Sequence, residues 1–165
     1  KGERMMEIYV RKAEEKDIDR ILSLLKQVLE IHAAIRPDIF VSGTTKYTKE
    51  ELKMIFTNEE TPVFVAADRN DTVLGYVFCM LQVTKNYTNM KDRKTLYIDD
   101  LCVDQNHQGK HIGTTLYDYV IEYAKKQNCN DVTLNVWEGN DKARLFYEKI
   151  GMKVRKTQME YLLEE

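Results

Sequence analysis

The sequence is short of residues that break or staple a chain. Only two prolines, Pro37 and Pro62, occur in 165 residues, and both lie between periodic segments. With no proline-rich or glycine-rich linker, the length predicts one domain around one core, residues 5–165. Residues 1–4, ahead of Met5 and Met6, read as an extension outside that domain. Cysteine is scarce and odd in number: Cys79, Cys102 and Cys129. That excludes a disulfide framework and predicts reduced, packed thiols in a cytoplasmic protein. No apolar run reaches the roughly 20 residues of a membrane helix, and no signal peptide is visible. Neither sign of charge dominates, with 25 Lys+Arg against 27 Asp+Glu and a net charge of -2. There is no basic field for nucleic acid or an anionic membrane.

What is present is an alternation of helical and strand periodicity. EIYVRKA predicts a first strand, and residues 15–34 a helix with Ile18, Ile21, Leu22, Leu25, Val28, Leu29 and His32 at helical spacing. Thr48 and Glu51 form a capping box for a short helix to residue 56. PVFVAAD and VLGYVFCMLQV flank the turn RNDT as a hairpin. A strand at 95–103 precedes a helix at 111–127 whose apolar face is Ile112, Leu116, Val120 and Ala124. DVTLNVW predicts a strand, residues 140–150 a helix capped by Asn140, and MKVRK and QMEYLL two closing strands. Hairpins plus one strand–helix–strand crossover predict an α/β fold with a mixed, twisted central sheet flanked by helices.

Two features of the 95–116 stretch carry chemistry. Asp99 and Asp100 stand in an apolar strand, where an unpartnered carboxylate is costly, so at least one must face a cavity or a cation. Gly109 and Gly113 then flank a helix start, where free N–H groups and the dipole favour an anion such as pyrophosphate, with Lys110 adding charge. Gly109 as a plain turn explains that spacing equally well.

The stretch VDQNHQGKHIGTTL resembles motif A of the GNAT superfamily of acetyl-coenzyme A dependent N-acetyltransferases. The pattern [RQ]-x-x-G-x-[GA] falls on Gln108, Gly109, Lys110, His111, Ile112 and Gly113, with His111 in place of glycine at the fourth position. LNVWEGNDKARLFYEKIGM resembles motif B, with Asn140, Ala143, Phe146, Tyr147, Gly151 and Met152 in place. The two motifs and the element order extend the resemblance over nearly the whole chain.

The resemblance implies the site. A β-bulge in the fourth strand would expose the amides of Leu101, Cys102 and Val103 to an acetyl carbonyl. Residues Gln108 to Thr114 would wrap the pyrophosphate, and Asn140 would touch acetyl-coenzyme A from the other side. Tyr147 would protonate the leaving thiolate; without the motif it reads as a core aromatic beside Phe146. The acceptor would be a primary amine, whose ammonium must lose a proton before attack. Asp99 is expected to bind it and relay the proton, with Asp100 the second choice; pairing of one acid with an arginine, or capping of a loop, is the bland alternative.

YIDDLCV is also similar to a stretch of spermidine/spermine N-acetyltransferases, which points to a polyamine-like acceptor; the amine of a protein N-terminus fits the same motifs. Tyr97, Asn135, and Arg36 with Phe40 on the loop after the first helix are the candidate acceptor contacts. Simple alternation would put Tyr97, Asp99 and Leu101 on one face and Ile98, Asp100 and Cys102 on the other, unless the bulge shifts them. No metal is expected, because Cys102, His107 and His111 lack a zinc-like spacing. The competing functional reading is a non-catalytic acyl-coenzyme A sensor. A homodimer through the sheet edge or the C-terminal strands is compatible with the pattern.

Overall fold

In the computed structural model, residues 7–163 are described; the extension expected at residues 1–4 lies outside them. The elements run β1 (Ile8–Lys12), α1 (Ile18–Ile35), α2 (Lys49–Thr57), β2 (Val63–Asp68), β3 (Val73–Thr84), β4 (Arg93–Val103), α3 (Ile112–Lys126), β5 (Asp131–Leu134) and α4 (Asp141–Lys149). The chain divides into two compact units, Lys1–Asn135 and Val136–Glu165.

The first unit holds a five-stranded sheet in the order β1-β2-β3-β4-β5. The first three pairings are antiparallel; β4 and β5, joined through α3, are parallel. This is the mixed sheet that hairpins plus one crossover predict. Each face has its own core. On one, Ile18, Ile21, Leu24 and Leu25 of α1 and Leu52 of α2 meet Val63, Val65, Tyr76, Phe78 and Cys102. On the other, α3 buries Ile112, Leu116, Val120 and Ala124 against Phe64, Leu74, Val77, Leu96 and Ile98.

The stripe predicted for α3 is the stripe it buries. On α1, Leu24 and Ala33 join the buried set in place of Leu29 and His32. Gly75 permits the close approach of α3 to the sheet. A Cβ there would meet the Cys102 carbonyl oxygen at 2.8 Å and the Leu116 side chain at 3.2 Å.

Two strand expectations change. β5 stops at Leu134 rather than Trp137, because its ladder with β4 ends at the pair Ile98–Leu134. In the second unit, residues 152–163 form no strand. A strand needs a paired backbone and a covered face. Val154, Met159, Tyr161, Leu162 and Leu163 are instead exposed, so alternating composition alone does not form one.

Candidate active site

The site begins with a break in register. β3 and β4 pair Phe78 with Asp100 but Cys79 with Ile98, so Asp99 is an extra residue with no partner on β3. A bulge of this kind re-aims side chains. Leu96, Ile98 and Leu101 pack on the α3 side. Asp100 accepts a hydrogen bond of 2.7 Å from the hydroxyl of Tyr76, whose ring lies in the core beneath α1 and α2. Asp99 turns to that same side, accepting from Lys46 Nζ at 2.6 Å and Tyr47 Oη at 3.1 Å. The alternation expected from sequence is therefore corrected. Both acids share a side, and Leu101 leaves Asp99 for the opposite one, because one inserted residue flips everything after it.

The two carboxyls live differently. Asp99 is held by the loop joining α1 to α2, and its cation comes from the chain itself. Among the described residues, no cation is in contact with Asp100. Burial pushes its carboxyl up to about 6, although the Tyr76 hydroxyl and the more distant Lys46 charge pull it down. Burial and the neighbouring Asp100 in turn hold the Tyr76 phenol well above its ordinary value. Beside Asp99 lies a cavity of about 120 Å³, walled by Tyr47, Ile55, Phe78, Cys79 and Met80. Tyr47 stacks on Phe78 with ring centres 5.5 Å apart. An aromatic wall ending in a carboxylate suits an organic cation.

Beyond the bulge β4 also presents an edge. After Ile98, β4 has no ladder partner on the β5 side among the described residues. The Asp104 N–H donates to the Leu74 carbonyl at 2.8 Å. Antiparallel alternation then turns the amides of Cys102 and Asp100 toward β3, and those of Leu101 and Val103 toward the open edge. The Cys102 side chain is likewise committed to the core: its thiol lies 3.7 Å from the Leu24 carbonyl oxygen, and burial pushes it far up.

From that edge the chain runs into the glycine turn. Gly109 has φ +78, with open space where a Cβ would be. His111, the departure from the motif, also takes a left-handed conformation at φ +60, ψ +19. The first helical bond of α3 is Thr115 N–H to the His111 carbonyl at 3.0 Å. The amides of Ile112, Gly113 and Thr114 therefore have no acceptor within the helix. Gln108, Gly109, Lys110 and His111 are exposed around them. A left-handed turn feeding a 15-residue helix, with Lys110 beside it, has the donor set and the room to take a pyrophosphate.

A buried carboxylate steadies this turn. Asp104, 4% exposed, accepts from Arg20 Nη2 at 2.8 Å, Gln27 Nε2 at 3.1 Å and the backbone N–H of Asn106 at 3.5 Å, and lies 3.0 Å from His107 Nδ1. The Gln27 carbonyl oxygen accepts from the Gln105 N–H at 3.0 Å. Burial pushes the Asp104 carboxyl up, but these hydrogen bonds outweigh it and hold it down at about 2.

Of the other sequence candidates, Tyr97 and Asn135 are brought together across β4 and β5, with Asn135 Nδ2 donating to Tyr97 Oη at 3.2 Å. Arg36 grips Asp38 at 2.8 and 2.6 Å, and Phe40 lies against His32 with ring centres 5.2 Å apart. Neither Arg36 nor Phe40 lines the cavity beside Asp99. Within the second unit, Asn140 caps α4 by accepting from the Ala143 N–H at 3.4 Å, and Tyr147 lies edge-on to Phe146. Among the described residues, no cluster of His, Cys, Asp and Glu could hold a metal.

Sequence reading passed over Lys46, Tyr47 and Tyr76, which contact the two acids, and the Arg20–Gln27–Asp104 network. Asp104 before QNH is an Asx-turn signal that could have been found. The others are distant in sequence and carry no local signal.

Comparison with known proteins identifies relatives of this chain. The profile of the Acetyltransferase (GNAT) family matches residues 25–152. A tetramutant of the BH1408 protein from Bacillus halodurans superposes with a TM-score of 0.90 at 32% identity, covering 94% of this chain and 99% of that one. An uncharacterized N-acetyltransferase of Methanocaldococcus jannaschii is 30% identical over 68% of this chain and 48% of its own length. The thialysine N-epsilon-acetyltransferase of Bos taurus is 25% identical over 87% of this chain and 83% of its own. The chain thus spans about half the length of the first of these curated relatives. A bulged fourth strand, an open β4 edge and a glycine turn into α3 coincide with a family match over most of the chain, and the chain belongs to the acetyltransferase (GNAT) family.

Proposed function

We propose that this chain is an N-acetyltransferase that moves acetyl from acetyl-coenzyme A to a primary amine by direct attack in a ternary complex. The observation that carries the reading is the bulge at Asp99. One inserted residue turns both acids to one side of the sheet, sets Asp99 in the wall of an aromatic-lined cavity, and leaves the amides of Leu101 and Val103 beyond the β5 ladder.

When bound, acetyl-coenzyme A supplies an activated thioester. Gln108, Gly109, Lys110, His111 and the amides of Ile112, Gly113 and Thr114 are the groups to hold its pyrophosphate. The edge-facing amides of Val103 and of Leu101, which also acts on the Asp100 carboxyl, would stabilise negative charge on the acetyl oxygen; Cys102 drops from that set because its amide faces β3. Asp99 binds the acceptor ammonium and takes its proton, with Asp100 behind it. Tyr97 and Asn135 border the acceptor path. Tyr147 as the acid toward the thiolate, and Asn140 as a cofactor contact, rest on motif position alone. The same reading treats residues 5–165 as one domain, supported by a family match that runs across both units. Acceptors of two kinds fit: a small polyamine-like amine, and the amine of a protein N-terminus.

The test is release of coenzyme A thiol with spermidine, lysine, aminoglycosides and short N-terminal peptides offered in parallel. Turnover with at least one is expected. Asp99→Asn should then lower kcat/KM by about 10²-fold or more. Tyr147→Phe should lower kcat while cofactor affinity stays near wild type. Silence across the panel with cofactor binding intact would favour the acyl-coenzyme A sensor reading.

A further inference from the structure

Lys46 stands where the acceptor is expected. Its Nζ lies 2.6 Å from Asp99 Oδ2, so a primary ammonium of the chain itself occupies the carboxylate assigned to the acceptor. Its side chain is 47% exposed, but its backbone is not loosely tethered. Its loop is tied back to α1, with the Ser42 hydroxyl and the Gly43 N–H donating to Glu30 at 2.7 and 2.6 Å. Gly43 turns the chain at φ +82. On the other side, Tyr47 donates to the same Asp99, and Thr48 caps α2. Lys16, Lys49, Lys53 and Lys125 also meet carboxylates, but those belong to Asp71, Asp19, Glu15 and Glu122, away from β4.

We propose that Lys46 is a self-acetylation site: in the absence of another amine, the chain transfers acetyl in cis to the Lys46 ε-nitrogen. This rests on the acetyl-transfer reading above. Asp99 takes the ammonium proton and passes it to water. The freed lone pair forms a C–N bond to the acetyl carbonyl carbon of acetyl-coenzyme A. The C–S bond breaks, the nitrogen gives up its second proton, and the departing thiolate takes up a proton, giving an amide and free coenzyme A. Leu101, whose amide is assigned to the acetyl oxygen, lies two residues along β4 from Asp99, about 7 Å at strand spacing. Burial alone would pull the Lys46 ammonium down, but its hydrogen bond to Asp99 and the charges of Asp99, Tyr47 and Asp100 outweigh it and leave it raised. Transfer is therefore slow and waits on Asp99. Acetylation removes the charge, so the product no longer pairs with Asp99 and the carboxylate is left to an incoming amine.

The test incubates the full chain with acetyl-coenzyme A and no amine, then locates acetyl groups by peptide mass spectrometry, with heat-denatured protein as the chemical background. Lys46 should acquire acetyl at least about tenfold faster than Lys126 or Lys156, with a rate constant independent of protein concentration. Lys46→Arg, which keeps a cation against Asp99 but has no acetylatable amine, should remove that label, and Asp99→Asn should slow it. A readout without acetyl-coenzyme A is NMR titration of the Lys46 ammonium, which should move down in Asp99→Asn; no movement would overturn the pairing on which the proposal stands. Labelling of Lys46 no faster than Lys126 or Lys156, with an offered amine turning over, would overturn the self-acetylation alone. Absence of both labelling and turnover would overturn the acetyl-transfer reading with it.

Discussion

Asp100 shows at the scale of one residue how position sets chemistry. Its carboxyl is raised from 3.8 to about 6 by burial, so the folded state binds its proton more tightly than the unfolded chain. Stability from this group is full below about pH 4 and is lost as pH rises toward about 6. Asp100→Asn, whose amide can still bond the Tyr76 hydroxyl, should therefore stabilise the fold by about 1–2 kcal/mol near pH 8. The gain should vanish near pH 4, as read from urea unfolding at both values. His111 makes a related point. The family pattern has glycine there, and the structure shows why: the position is left-handed. An imidazole tolerates that conformation better than a β-branched side chain does. His111→Val should cost about 1–2 kcal/mol by the same unfolding measurement. That an acid in a buried strand needs a partner was readable from the sequence. That the partner is Lys46, 53 positions away, was not.

At the scale of elements, the site is an arrangement of one bulged strand, one turn and one helix end. Asp104 joins them: it closes β4, starts the turn, and ties it to α1 through Arg20 and Gln27. Its carboxyl is depressed from 3.8 to about 2, so its stabilisation is present above about pH 4 and lost as pH falls through about 2. Asp104→Asn should lose about 2 kcal/mol at neutral pH, with the gap to wild type closing toward about pH 2. Cofactor affinity should weaken with it, since the turn loses its anchor. The α3 stripe and the Thr48 capping box were readable because they depend on spacing within a few turns of helix. The length of β5 was not, because it is decided by where β4 stops pairing with it.

At the scale of the whole molecule, burial is complete in the middle of the sheet and on the helix faces that cover it. Phe64, Val65, Ala66, Ala67, Tyr76 and Val77 are fully buried, whereas α4 buries no side chain. Hydrogen exchange should therefore be slowest in β2 and β3, reporting global opening. Amides of α4 and of residues 152–163 should exchange at least about tenfold faster. Equal protection throughout would contradict this distribution. The C-terminal strands expected from composition fail at this scale too, since a strand exists only where another backbone receives it. The sequence by itself determined the order of the elements from β1 to α4, the caps, the buried face of α3 and the two motifs that mark the family. Those depend on local period and side-chain chemistry. Only the tertiary structure decided that the bulge falls on Asp99, that both acids turn to one side, and that Lys46 meets the first of them. Those depend on register between strands and on a loop remote in the chain, which no local period encodes.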